Sequence, residues 1–156
     1  MPNDRTGNSR FVAAIQRLPQ VVPHRVGDLL YHGSRTGVPV EQPRDCEFFV
    51  SADLFAAGFF AVAHGGQRVV SVYRVIREPT LAQFTCHGSS DLGPDLAPLD
   101  MYGLCAAFAS SYPGAVVDGW HALVSAAGSE TLLHRPNRFL EFDGWVDAPP
   151  GRRIDR

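Results

Sequence analysis

The sequence predicts an α+β fold of mainly antiparallel strands with two to four helices, and three observations carry that reading. Short β-branched or aromatic runs recur along the chain, with residues 68–76 the clearest. A few short stretches show helical spacing, and turns containing Gly or Pro separate these pieces. At 156 residues, 45% hydrophobic and 19% charged, the chain can bury well over half of its unfolded surface without a metal or disulfide staple. A single domain over residues 1–156 is expected, with the polar residues 1–10 loose.

Taken in order, Phe11, Ala14, Ile15 and Leu18 follow helical spacing after the possible cap Ser9, and Pro19 ends the pattern. Residues 26–31 read as a strand ending at Gly33, and residues 38–45, with two prolines, as a loop. Residues 46–50 suit a short buried strand. Ser51 or Asp53 can cap a following helix over 54–63, which Gly65-Gly66 stops. Residues 68–76 are a strand closed by Pro79, and 81–85 are a second strand or extended piece. Residues 87–98 form a loop without periodicity, 99–110 a helix, and Tyr112-Pro113-Gly114 a turn. The last third alternates turns with apolar pieces at 116–124, 130–134 and 139–142.

Composition excludes several function classes. The formal net charge is -2 and no stretch clusters like charges, so bulk electrostatics predict no nucleic-acid footprint. All fourteen basic residues are Arg, which fits a GC-rich genome or a protein that avoids lysine modification inside a host cell. Cys46, Cys86 and Cys105 are odd in number and lack CxxC spacing, so they read as free thiols in a reducing compartment. No apolar h-region opens the chain and no run approaches the roughly 20 apolar residues that span a bilayer, so neither a classical signal peptide nor a membrane is expected. The protein is expected to be cytoplasmic or delivered into a target cell. His64, His87, His121 and His134 show no metal-ligand spacing, and no GxxxxGK[ST] or GxGxxG motif occurs.

Three segments could carry chemistry. In Leu30-Tyr31-His32-Gly33-Ser34 a strand ends in His followed by Gly, which can aim an imidazole at a ligand and let that ligand approach the backbone. Phe48-Phe49-Val50-Ser51 runs into a segment in which the small residues Ala56, Ala57 and Gly58 lie beside aromatics, leaving a gap for a planar ring. In Gly128-Ser129-Glu130-Thr131-Leu132-Leu133 an acid stands at the mouth of an apolar strand.

In this order, with Asp118-Gly119-Trp120 before the last of them, the segments resemble the ADP-ribosyltransferase superfamily over roughly residues 28–142. The closer likeness is to the His-aromatic-Glu branch of diphtheria toxin and poly-ADP-ribose polymerase and to small bacterial toxin domains related to it. The resemblance implies two small split sheets with an NAD cleft in which His32, Phe48 and Glu130 converge. It implies that His32 orients the adenosine ribose of NAD, that the Gly33 backbone holds the carboxamide, and that Glu130 is the catalytic acid, with Glu141 its rival. Phe48 matches the stacking aromatic and Phe59 or Phe60 the aromatic on the helix, one of the pair facing the site and the other the core. Tyr31, Ser34 and Ser51 fall in the same motifs, and Arg35 is placed to meet the pyrophosphate. Gly128 stands where the arginine-modifying branch carries Glu or Gln, so an arginine acceptor is not favoured. The implied activity is transfer of ADP-ribose from NAD to a macromolecular acceptor, protein or nucleic acid, by a bacterial toxin or effector that an immunity protein restrains. An NAD glycohydrolase, an RNA 2′-phosphotransferase or a binding module without turnover are the alternatives on the same scaffold.

Overall fold

The computed structural model describes residues 16–45, 48–63, 65–85, 117–124 and 128–150. Among the described residues, eight strands and one complete α-helix follow in the order β1 (Gln20–Val21), β2 (Leu29–Gly33), β3 (Phe48–Val50), α1 (Leu54–Phe59), β4 (Val69–Val75), β5 (Leu81–Thr85), β6 (Gly119–Val124), β7 (Gly128–Leu133) and β8 (Leu140–Asp147). The strands form a five-stranded sheet, β1-β5-β6-β7-β3, and a three-stranded sheet, β2-β4-β8. The α+β class and the split into two small sheets are as the sequence predicts. All pairs are antiparallel except β5–β6. The predicted loop over 87–98, the predicted helix over 99–110, the loose residues 1–10 and all three cysteines lie outside the described residues. Of the predicted N-terminal helix only residues 16–17 are described as helical. Among the described residues no helix is long and apolar enough to cross a membrane.

Strand alternation decides what each sheet buries. Leu30, Tyr73, Val75 and Leu140 of the smaller sheet meet Phe48, Val50, Leu81 and Leu133 of the larger one in a single core cluster with Phe139. The opposite face of β4 carries Val70, which packs on Ala57 and Ala61 of the helix segment. Strand β4 is thus buried on both faces, and its Val-rich sequence follows from that position.

Two glycines are dictated by close approach. A Cβ on Gly33 would lie 2.2 Å from the Ala57 carbonyl oxygen and 2.7 Å from the Ala61 nitrogen. The space that glycine frees at the end of β2 is therefore occupied by α1, and the expectation that a ligand uses it is corrected. A Cβ on Gly119 would lie 1.8 Å from the Leu132 carbonyl oxygen, which explains the Asp118-Gly119-Trp120 motif as a requirement of β6–β7 pairing.

Strand β2 starts three residues later than predicted, because Gly27 takes φ 98 and the Asp28 carboxylate accepts the Arg25 N–H at 2.9 Å, closing a turn. Asp53, one of two candidate caps, caps α1: its Oδ1 accepts the Phe55 N–H at 2.9 Å. The helix stops at Phe59 rather than running to 63, since the Val62 N–H donates to the Ser34 carbonyl at 2.9 Å instead of continuing the ladder. The Arg68 guanidinium, bonded to the carbonyls of Gly58 and Ala61, satisfies the freed acceptors at that end.

Candidate active site

The site is built where β2 crosses the free edge of β3. Among the described residues β3 is the outermost strand of its sheet, so its outer side offers backbone groups outside the β3–β7 ladder. Two of these are taken by Tyr31, which exchanges both backbone bonds with Ser51, at 2.8 and 2.9 Å. That bridge ties the two sheets together and fixes His32 beside β3. The His32 Nδ1–H donates to the Phe49 carbonyl at 2.6 Å, and the ring stacks on Phe48 with centroids 4.2 Å apart and planes 26° apart. A carbonyl oxygen only accepts, so Nδ1 carries the proton and Nε2 the lone pair of the neutral ring. Burial pulls the His32 pKa below the ordinary value; the bond to Phe49 opposes that pull and the Arg35 guanidinium adds to it. Arg35 itself is exposed.

Glu130 reaches the same region from the other side. The register pairs Val50 with Thr131, so Ser51, the next residue, stands opposite Glu130. The Ser51 hydroxyl donates to the Ser129 carbonyl at 3.0 Å, which pins the end of β3 to β7. Glu130 pairs with Ala122 and shares a sheet face with Leu132, Trp120 and Phe49, the face opposite to Thr131 and Phe48. It is half-buried, and burial pushes its carboxyl above the usual range.

The expected convergence of His32, Phe48 and Glu130 is therefore corrected: His32 stacks on Phe48, while Glu130 lies on the opposite face of the sheet, because adjacent strand residues alternate. His32 and Phe48 touch, but Phe48 is 6% exposed inside the core, where it also meets Tyr73 edge to face at 5.5 Å. Its ring has no free face for nicotinamide, and its part is to pack and to hold His32. The aromatic on Glu130's side of the sheet is the half-buried Phe49. His32 thus lies on the Phe48 side of β3, and Phe49 and Glu130 lie on the other. Phe48→Ala should cost about 3–5 kcal/mol of stability as a large-to-small core change, read by chemical denaturation. Phe49→Ala, at a half-buried position, should cost far less, within about 1–2 kcal/mol by the same measurement.

The remaining predicted residues divide by whether their polar groups are free. Ser34 is fully buried; its N–H donates to Val69 O, its carbonyl accepts from Val62 N, and its hydroxyl donates to Val38 O at 2.6 Å. Ser34 and Ser51 thus build the frame. Tyr31, half-buried, packs against the Ala57–Ala61–Val70 cluster and lines a neighbouring cleft. Phe59 and Phe60 meet edge to face and are 66% and 42% exposed, so neither is core, contrary to expectation. The small residues Ala56, Ala57 and Gly58 form the buried face of α1 and turn both aromatics outward. Glu141 lies opposite Arg74 at the register of β8 with β4, in the other sheet from Glu130.

One buried polar group has no signal in the local sequence. Thr131 Oγ1 sits between His24 Nε2, at 2.7 Å, and His121 Nδ1, at 3.0 Å. Burial first, then the His121 ring, hold His24 down at about 4 against the pull of Asp28, and burial lowers His121 too. A histidine depressed in the fold takes up a proton more readily unfolded, so its contribution to stability is complete above pH 6.5 and is lost as pH falls toward 4. Denaturation midpoints should fall across that window, with a ceiling of about 3 kcal/mol from His24 at about 1.4 kcal/mol per unit. In Thr131→Val the size of that fall should change, since the hydroxyl that binds both neutral rings is gone.

No protein-family model matches the chain, and no curated protein matches it. Among solved structures, a chain of the M. tuberculosis MbcT–MbcA toxin–antitoxin complex is similar, with a TM-score of 0.57 over 88% of this chain and 91% of that one. The two are 11% identical. The likeness is one of fold.

Proposed function

We propose that the protein is an NAD-consuming enzyme of the ADP-ribosyltransferase type that acts as a bacterial toxin or effector. The single observation that carries this reading is the neutral His32, tied through Nδ1 to the Phe49 carbonyl at 2.6 Å, at the edge of β3 whose other side carries Phe49 and Glu130. In this reading Nε2 of His32 accepts a hydrogen bond from a ribose hydroxyl of NAD. Arg35 faces the pyrophosphate, Phe49 stacks on nicotinamide, and Phe59 and Phe60 offer a further aromatic surface. The bond between the ribose anomeric carbon and the nicotinamide nitrogen breaks, and its electron pair leaves with nicotinamide. Positive charge builds on the ribose, and the Glu130 carboxylate stabilises it while binding the 2-hydroxyl. A nucleophile of a macromolecular acceptor then bonds to the anomeric carbon and passes its proton to water. The fold shared with a member of a toxin–antitoxin complex supports a toxin role and an antitoxin-like protein as a restraining partner.

Incubation with NAD, with and without cell lysate, tests the reading by nicotinamide release. Release that depends on lysate is the result expected of a transferase, while equal release without it makes the protein a glycohydrolase. No release under either condition contradicts the proposal.

A further inference from the structure

The Tyr31–Ser51 bridge divides the seam between the sheets. His32 lies on one side of it, and on the other opens a cleft of about 390 Å³ lined by Pro23, His24, Tyr31, Ala52, His121 and Ser129, with Asp28 also on its wall. The proposed NAD contacts use none of the polar groups at its base. His24 and His121 are 4% and 6% exposed, yet both reach the cleft, their rings edge to face with centroids 5.5 Å apart. Each spends one nitrogen on Thr131 Oγ1. A hydroxyl has one proton and two lone pairs, so it can donate to one ring while accepting from the other. If His24 Nε2 gives its proton to Thr131, Thr131 gives its own to His121 Nδ1, and the outer nitrogens become a bare His24 Nδ1 and a protonated His121 Nε2. The reverse arrangement exchanges them. In both, the neutral pair presents one donor and one acceptor, and Thr131 couples the choice.

We propose that this cleft is a second binding site, for an uncharged nitrogen heterocycle of the nucleobase class, gripped by the outer nitrogens of His24 and His121. Such a ring offers an acceptor and a donor along one edge, and the Thr131-coupled pair matches either order by switching tautomer. The walls Pro23, Leu29, Leu30 and Ala52 are apolar, as a planar ligand requires. An anion is disfavoured: no arginine lines the cleft among the described residues, Asp28 adds a carboxylate, and both imidazoles are neutral. The site does not depend on the NAD reading, since its groups lie across the bridge from His32.

The test is nitrogen-15 NMR of the histidine rings of the whole protein at pH 7, titrated with adenosine and, separately, with inorganic phosphate. Saturable shifts of the His24 and His121 ring nitrogens with adenosine, and none with phosphate, are the expected result. Thr131→Val, which keeps the shape and removes the coupling hydroxyl, should weaken adenosine about tenfold. His32→Ala should leave its affinity unchanged while abolishing turnover of NAD, which separates this site from the proposed active site. The proposal is overturned if neither ring responds to millimolar adenosine in the wild-type protein, a result that needs no variant to fold. It is overturned equally if phosphate shifts both rings as adenosine does, or if His32→Ala removes the response.

Discussion

Replacing Glu130 by Gln should lower kcat for nicotinamide release by about a hundredfold to a thousandfold and change the KM for NAD little. The substitution keeps shape and hydrogen-bonding capacity and removes only the charge, which matters when positive charge develops on the ribose and hardly before. The groups that hold the ground state in the proposed complex, His32 Nε2 and the Phe49 ring, are untouched. Because burial pushes the Glu130 carboxyl upward, the wild-type rate should fall with acidification at a higher pH than an ordinary glutamate would give. Below the raised pKa the acid is neutral and the wild type should approach the variant. Glu141→Gln, altering a residue of the other sheet paired with β4, should leave the rate within about twofold. A Glu130→Gln enzyme with full activity would contradict the catalytic assignment.

Gly33→Ala should be among the most damaging single substitutions for stability. The new methyl carbon would meet backbone atoms, the Ala57 oxygen at 2.2 Å and the Ala61 nitrogen at 2.7 Å, and backbone cannot swing aside as the end of a side chain can. Either α1 moves off the smaller sheet, opening the Ala57–Ala61–Val70 contact, or the end of β2 shifts and takes His32 with it. A cost of about 3 kcal/mol or more is expected, which at this size lowers Tm by roughly 6–12 °C. Any folded fraction should show a raised KM for NAD, because the tether from His32 to the Phe49 carbonyl depends on where β2 ends. A normal Tm would mean that α1 does not rest on Gly33.

Where the sequence was legible, the reason is that local pattern and tertiary role agree. The β-branched run that forms β4 is buried on both faces, and the apolar run after Glu130 is β7, both within a residue or two of the predicted bounds. Asp53 is legible as a cap because its side chain serves a neighbour two residues away. The choice between Phe48 and Phe49 is of another kind. Adjacent strand residues of identical type face opposite ways, and only the pairing of β3 with β7, eighty or so residues later, decides which faces the core. Gly33 in sequence suggests room for a ligand, because only the fold shows that a helix backbone fills the space. The outward turn of Phe59 and Phe60 follows from Ala57 and Ala61 packing on Val70, a contact the helical pattern alone does not name. His24 and Thr131 are 107 residues apart, and nothing near either announces the other.

The central claim is that NAD wraps the free edge of β3 between His32 and Glu130, and a crystal structure of the wild-type protein with NAD tests it most directly. The account predicts His32 Nε2 within hydrogen-bond reach of a ribose hydroxyl, the Phe49 ring against nicotinamide, and the Glu130 carboxylate at the nicotinamide ribose. NAD bound away from the β3 edge, or bound there with Glu130 turned away from the ribose, would contradict it.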